Sequence, residues 1–228
     1  MGKLTVSMTD KERLWSFIYL LLQMLCLPSL LNMGNLLLST PLSEAQMNLV
    51  YFALNFICVI LICRKFLWQS LKLVCKKPSS LQYVIYGLAF YRFSIRLMNF
   101  LTLKIMPEFT NVNDQTIFAM SQDFFLPVAL GLVLLVPVVE ETLHRGLVFR
   151  LLYEKSKVLG YLLSAAIFAS IHILSYLGSY SPGLLMLCFV QYLPAGLCLA
   201  WVYVKADNIF APILLHMIIN LIGVFTMR

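Results

Sequence analysis

Charge is what this sequence has least of. Asp, Glu, Lys and Arg make up 12% of the chain while hydrophobic residues make up 61%. Soluble domains carry roughly twice that charge and fewer apolar residues, so the balance excludes a water-soluble globular fold. The apolar runs are continuous and do not alternate with polar residues, which excludes a β-barrel. Acids are scarcer than bases, 10 against 17, for a net charge of +7. The bases punctuate the apolar runs instead of gathering on one wet face, so no nucleic-acid partner is expected. The six cysteines form no CxxC pair. They read as small core residues, with no disulfide or zinc framework behind them. Internal repeats, low-complexity tracts, GxGD and HExxH are also absent.

What the chain has in quantity is long apolar stretches. At about 25 residues per span and turn, 228 residues allow seven to eight helices and no separate soluble domain. The expected fold class is therefore all-α, a polytopic transmembrane helical bundle. Spans are predicted at residues 14–31, 47–63, 81–103, 124–153, 158–177, 184–204 and 209–227. The first is read as a retained span and not a cleaved signal. A polar loop is predicted at residues 104–123. The fourth stretch is too long for one straight span and predicts a kink or an interfacial piece. Bases fall on alternate connections: Lys3, Lys11 and Arg13; Arg64, Lys65, Lys72, Lys76 and Lys77; Arg150, Lys155 and Lys157; then Lys205. The connections between them hold only Lys104, with Arg228 at the C-terminus. The positive-inside rule then predicts a cytoplasmic N-terminus and an external C-terminus.

Against this apolar background, one stretch is conspicuous. Glu140, Glu141, His144 and Arg145 close the run that begins at Phe124. Each ionised group at membrane depth costs roughly 2.5–3.5 kcal/mol on insertion scales, so such groups are expected to be in use. On a helix, Glu141 and Arg145 stand four apart and pair, whereas Glu140 points about 100° away and stays available. Two further spans carry His172 and the pair His216 and Asn220. Glu140 and His172 are each sixteen residues from position 156, the centre of the charged turn between their helices. Both should therefore lie about 24 Å along an antiparallel hairpin from that turn, at one level. His216 and Asn220 would lie about 12 and 18 Å in from the same side, on one helix face. Such a layer can activate water: a carboxylate and an imidazole orient it and take its proton. A second imidazole and an amide donate to the oxyanion that develops on a carbonyl. Blander roles exist for each group taken singly: a structural Glu141–Arg145 pair, a satisfied core histidine at His172, and interhelical hydrogen bonds from His216 and Asn220. His144 reads as a neighbour only.

At these residues the sequence resembles the CPBP intramembrane proteases, which include CAAX prenyl endopeptidases and the bacteriocin-processing or self-immunity proteins of bacteria. The motifs EExxxR, FxxxH and HxxxN read here as Glu140–Arg145, Phe168–His172 and His216–Asn220, in the family's order. The one small departure is His144, beside the arginine. The resemblance covers the region from about residue 124 to 225. It implies transmembrane helices at 1–123 and a catalytic helical core at 124–228, within one integral membrane domain. It further implies that Glu140 and His172 activate water, that His216 and Asn220 form the oxyanion hole, and that Glu141 with Arg145 shapes the site. No cofactor is favoured. A zinc-dependent version would use His172, His216 and Glu140. The expected activity is that of an endopeptidase acting on a membrane-associated peptide or protein, in a cavity opening toward the cytoplasm. The expected location is the bilayer, as a multi-pass protein of a bacterial cell membrane. Two rivals are a catalytically inactive scaffold or self-immunity protein, and a small transporter that relays protons through the same groups.

Overall fold

Helices start where the sequence supplies caps. Thr9 and Glu12 form a capping box at the head of α1 (Asp10–Leu25). Ser43 and Gln46 do the same for α3 (Glu44–Ile62). Each box satisfies two backbone N–H groups that a helix start leaves without partners. In the computed structural model, which describes residues 4–74 and 80–226 apart from the side chain of Asp123, these and later helices account for all regular structure among the described residues. Lys3, Cys75, Lys76, Lys77 and Arg228 lie outside the described residues.

Between the two boxes lies α2 (Leu27–Leu36), bent by 51° from α1, with Pro28 in its first turn. The first predicted span is thus a bent pair. α4 (Arg64–Val74) is a short helix in what reads from sequence as a basic connection; it buries Phe66, Leu67 and Ser70 and keeps its lysines outside. α5 (Ser80–Ile105) follows. The predicted loop at 104–123 is helical over most of its length, because Asn111 caps α6 (Val112–Leu130).

The long fourth stretch is continuous but irregular. Phe124 has non-helical torsions (φ −137°, ψ 56°) and Pro127 sits in the same helix. A π-helical segment at Gly131–Leu135 precedes α7 (Val136–Glu141), and a second at Thr142–Phe149 precedes α8 (Arg150–Lys155). Ser156 then caps α9 (Lys157–Leu174), and Ser181 caps α10 (Pro182–Ala206). α10 ends at Asp207 in the left-handed region (φ 50°), and α11 (Phe210–Thr226) completes the bundle.

Among the described residues, four helical stretches are long and apolar enough to cross a membrane: 44–62, 124–155, 157–174 and 182–206; the bent pair α1–α2 makes a fifth. α11 is apolar but has 17 residues, and α5 carries Arg92, Arg96 and Lys104. The predicted number of seven to eight is therefore not reached by length and composition. The polarity is that of an integral membrane protein. Leu14, Phe17, Leu21 and Leu25 are exposed along α1, while Glu141, Arg145, Ser164 and His216 are buried. In lipid, an apolar exterior costs nothing, and polar groups must find partners inside.

The described contacts also fix which ends share a face. Glu12 accepts from the N–H groups of Lys65 and Phe66, each at 2.9 Å. Arg150 donates to the carbonyls of Leu4 (3.1 Å) and Val6. Thr5 donates its N–H to Asp207 at 2.6 Å. The N-terminal arm, the α3–α4 junction, α8 and the end of α10 therefore lie together. The connections at 37–43, 106–111 and 175–181, and the last turn of α11, lie at the other end.

Candidate active site

The site is built on the irregular stretch around Pro137. In the π segment, Val136 donates to Gly131, so the next donor in that register would be residue 137. Proline has no N–H, and the Leu132 carbonyl is left without its backbone partner. The Asn220 side-chain amide supplies the missing donor from α11, Nδ2 to oxygen 2.8 Å. An insertion of this kind turns the helix face that follows it. Leu132, Val136, Glu140 and His144 then line one wall of a large cavity.

Opposite this wall, α9 delivers His172 and α11 delivers His216 and Asn220, all lining the same cavity. The Nε2 atoms of His172 and His216 each lie 4.0 Å from Glu140 Oε2. That oxygen is buried and has no hydrogen-bond partner among the described residues. His172 Nδ1 is 2.8 Å from the Phe168 carbonyl, which can only accept, so Nδ1 donates. His216 Nδ1 is 2.8 Å from Glu141 Oε1, and by the same reasoning donates to it. Both imidazoles are thereby oriented with Nε2 toward Glu140. Glu141 also pairs with Arg145, Oε2 to Nε 3.1 Å, with neither side chain exposed. Arg145 reaches the Gly196 carbonyl at 3.3 Å and lies over the Phe168 ring, 4.3 Å from its centroid. His144 is buried, with its ring edge-to-face with Phe168.

The sequence spacing places Glu140 and His172 at one level, and the structure brings them to 4.0 Å. Three features were not legible from it. Glu141 serves His216 as well as Arg145. The Asn220 amide has one hydrogen committed to Leu132. Tyr192, on α10, stacks on His172 with centroids 4.1 Å apart and 25° between planes. Asn113 donates to the Tyr192 hydroxyl at 3.0 Å, and that hydroxyl lies 3.4 Å from Asn111 Oδ1. Gln191 and Tyr192 are polar groups inside a predicted span, and the rule that singled out His172 would have flagged them.

A zinc ion would need its ligands closer together. Two ligands on a tetrahedral zinc stand about 3.4 Å apart, from bonds of about 2.0–2.2 Å. The 4.0 Å spacings here exceed that, and among the described residues no group of three or more His, Cys, Asp or Glu is placed to hold a metal ion. The residues as arranged do not fit a tetrahedral zinc.

The cavity has a volume of about 1420 Å³, larger than usual small-molecule pockets of roughly 300–1,000 Å³. It is walled by both halves of the chain, with Gln23, Tyr51 and Asn55 from α1 and α3 beside the groups already named. Its upper walls are Asn35, Glu44, Asn99, Asn111, Ser175 and Gly223. These are the ends of helices on the face away from the N-terminal arm. The sequence predicts a cavity opening on the side of the basic connections; its lining instead reaches the helix ends away from them, at Asn35, Glu44 and Ser175. On the basic side, Leu4, Met8, Phe66, Leu147, Phe149 and Tyr203 pack into one apolar plug beneath the site. Depth along a helix says nothing about which end is plugged.

Residues 122–222 match the family model of type II CAAX prenyl endopeptidases, described as Rce1-like. Over these residues the chain is similar to that family, and the match supports the CPBP resemblance. All seven motif residues, from Glu140 to Asn220, lie inside the matched segment. The match supports a CAAX-type intramembrane protease in general, and the helices long and apolar enough to cross a membrane support an integral membrane protein. No curated protein and no solved structure gives a significant match.

Proposed function

We propose that the chain is an intramembrane endopeptidase in which Glu140 and His172 activate water without a metal. The observation that carries this reading is the unpartnered Glu140 oxygen, 4.0 Å from the Nε2 of His172. A gap of that size is too long for a hydrogen bond and suits one bridging water with contacts of about 2.8 Å to each side. The water would donate one hydrogen to Glu140 and the other to His172, leaving a lone pair for the scissile carbonyl. Glu140 takes the proton as the new C–O bond forms, and returns it to the leaving amine as the C–N bond breaks.

The groups beside Glu140 suit an oxyanion hole. Held by Glu141 through Nδ1, His216 turns its Nε2 toward the place where the oxyanion would develop, and a proton on that nitrogen would let it donate there. The second hydrogen of the Asn220 amide is free to join it. Because the dipoles and charges are fixed before substrate arrives, little reorganisation is needed during the reaction.

One observation favours the zinc reading: both imidazoles are anchored through Nδ1 with Nε2 directed inward, as metal ligands usually are. The 4.0 Å spacing opposes it. Cleavage of membrane-anchored peptides by the purified protein, with and without chelator, decides between them. Activity that survives chelator and disappears in Glu140→Ala at unchanged expression supports the glutamate mechanism. Loss of activity in chelator, restored by zinc, overturns it. Biological function retained by Glu140→Ala would support an inactive scaffold or self-immunity protein instead.

A further inference from the structure

We infer that substrate reaches this site from the non-cytoplasmic face of the membrane, which makes the substrate class a peptide anchored at or exported to that face. The inference rests on the protease reading above. Two independent observations meet in it. The first is the position of the mouth. Asn35, Glu44, Asn99 and Ser175 line it, at the ends of α2, α5 and α9 and the start of α3. The N-terminal arm, α4 and α8 close the other end of the bundle around Phe66 and Phe149.

The second is the distribution of bases. Lys11, Arg13, Arg64, Lys65, Lys155 and Lys205 belong to the closed end, whereas Lys104 is the base described at the connections around the mouth, with Arg92 and Arg96 further back within α5. Positive charge in short connections is retained on the cytoplasmic side, where anionic lipid holds it. The closed end is therefore cytoplasmic, and the open end is not. A protein tail displayed in the cytoplasm would meet the apolar plug. A peptide on the far leaflet would meet Asn99, Asn111, Asn113 and Gln191, whose amides can pair with an extended backbone.

The test has two arms. In a background with the native cysteines replaced and cleavage retained, Ser175→Cys and Lys155→Cys are exposed to a membrane-impermeant maleimide on intact cells. The expected pattern is labelling of Ser175→Cys before lysis and of Lys155→Cys only afterwards. The reverse pattern overturns the inference. In the second arm, a fluorogenic peptide carrying one acyl chain is added to sealed vesicles. Right-side-out vesicles should cleave it without detergent, and inside-out vesicles only after detergent is added. Cleavage by intact inside-out vesicles overturns the inference. If neither preparation cleaves even in detergent, the protease reading has failed, and the labelling pattern still decides which side the mouth faces.

Discussion

Glu141 Oε1 lies 2.8 Å from His216 Nδ1 while the other oxygen of the same carboxylate pairs with Arg145. One fully buried carboxylate thus joins a helix-internal ion pair to an imidazole on α11. Removing it should be costlier than removing Glu140. Glu141→Ala strands a buried guanidinium, and breaking a buried pair this way costs about 3–5 kcal/mol. Thermal unfolding in detergent should show a large drop in Tm. Glu141→Gln keeps an acceptor for His216 but discards the charge. Its expected signature is retained folding with kcat reduced more than KM is raised.

Glu140→Gln should do the opposite. The side chain is partly exposed to the cavity, and its Oε2 has no partner to lose. Stability is expected within about 1 kcal/mol of the parent protein, as for substitutions outside any packed or paired network. Cleavage should fall by about 10²–10⁴, the usual worth of a positioned acid or base. Parallel unfolding curves and single-turnover rates check both halves.

Tyr192 is a positioning residue, acting through the ring of His172. Aromatic stacking of this kind contributes about 0.5–1.5 kcal/mol. Tyr192→Leu should lower kcat by several-fold to about tenfold through a less firmly held imidazole. Tyr192→Phe keeps the stack and should recover most of the loss. If only the hydroxyl bonded to Asn113 mattered, the phenylalanine variant would recover nothing and the two variants would be equally impaired.

Gly196 should tolerate no side chain. A Cβ there would stand 2.8 Å from the Ala165 backbone, where α9 and α10 meet. Overpacking typically costs about 1–3 kcal/mol, and the same movement would shift the carbonyl that Arg145 reaches. Gly196→Ala is expected to lower both Tm and activity. Gly183→Ala, with open space around its Cβ position, should lower neither.

Asn220→Ala removes two things at once: the donor to the Leu132 carbonyl and a candidate oxyanion donor. An orphaned carbonyl costs about 1–3 kcal/mol, and a lost oxyanion donor about 10²–10³ in kcat. A stability loss with unchanged kcat would assign Asn220 to the helix alone.

The sequence by itself determined the solvent this chain folds in and the polar groups it keeps there. Scarce charge and continuous apolar runs sufficed for a helical membrane bundle, and counting residues from a charged turn sufficed to put Glu140 and His172 at one level. Side-chain partners were decided by tertiary structure, because they depend on rotations that residue spacing does not encode. Pro137 and the π segments on either side of α7 turn the helix face, hand the Leu132 carbonyl to Asn220, and aim Glu141 at His216 as well as at Arg145. The open end of the cavity was likewise a matter of packing. Which face is plugged depends on how the N-terminal arm and α4 fold back under the site, through contacts between residues more than a hundred positions apart.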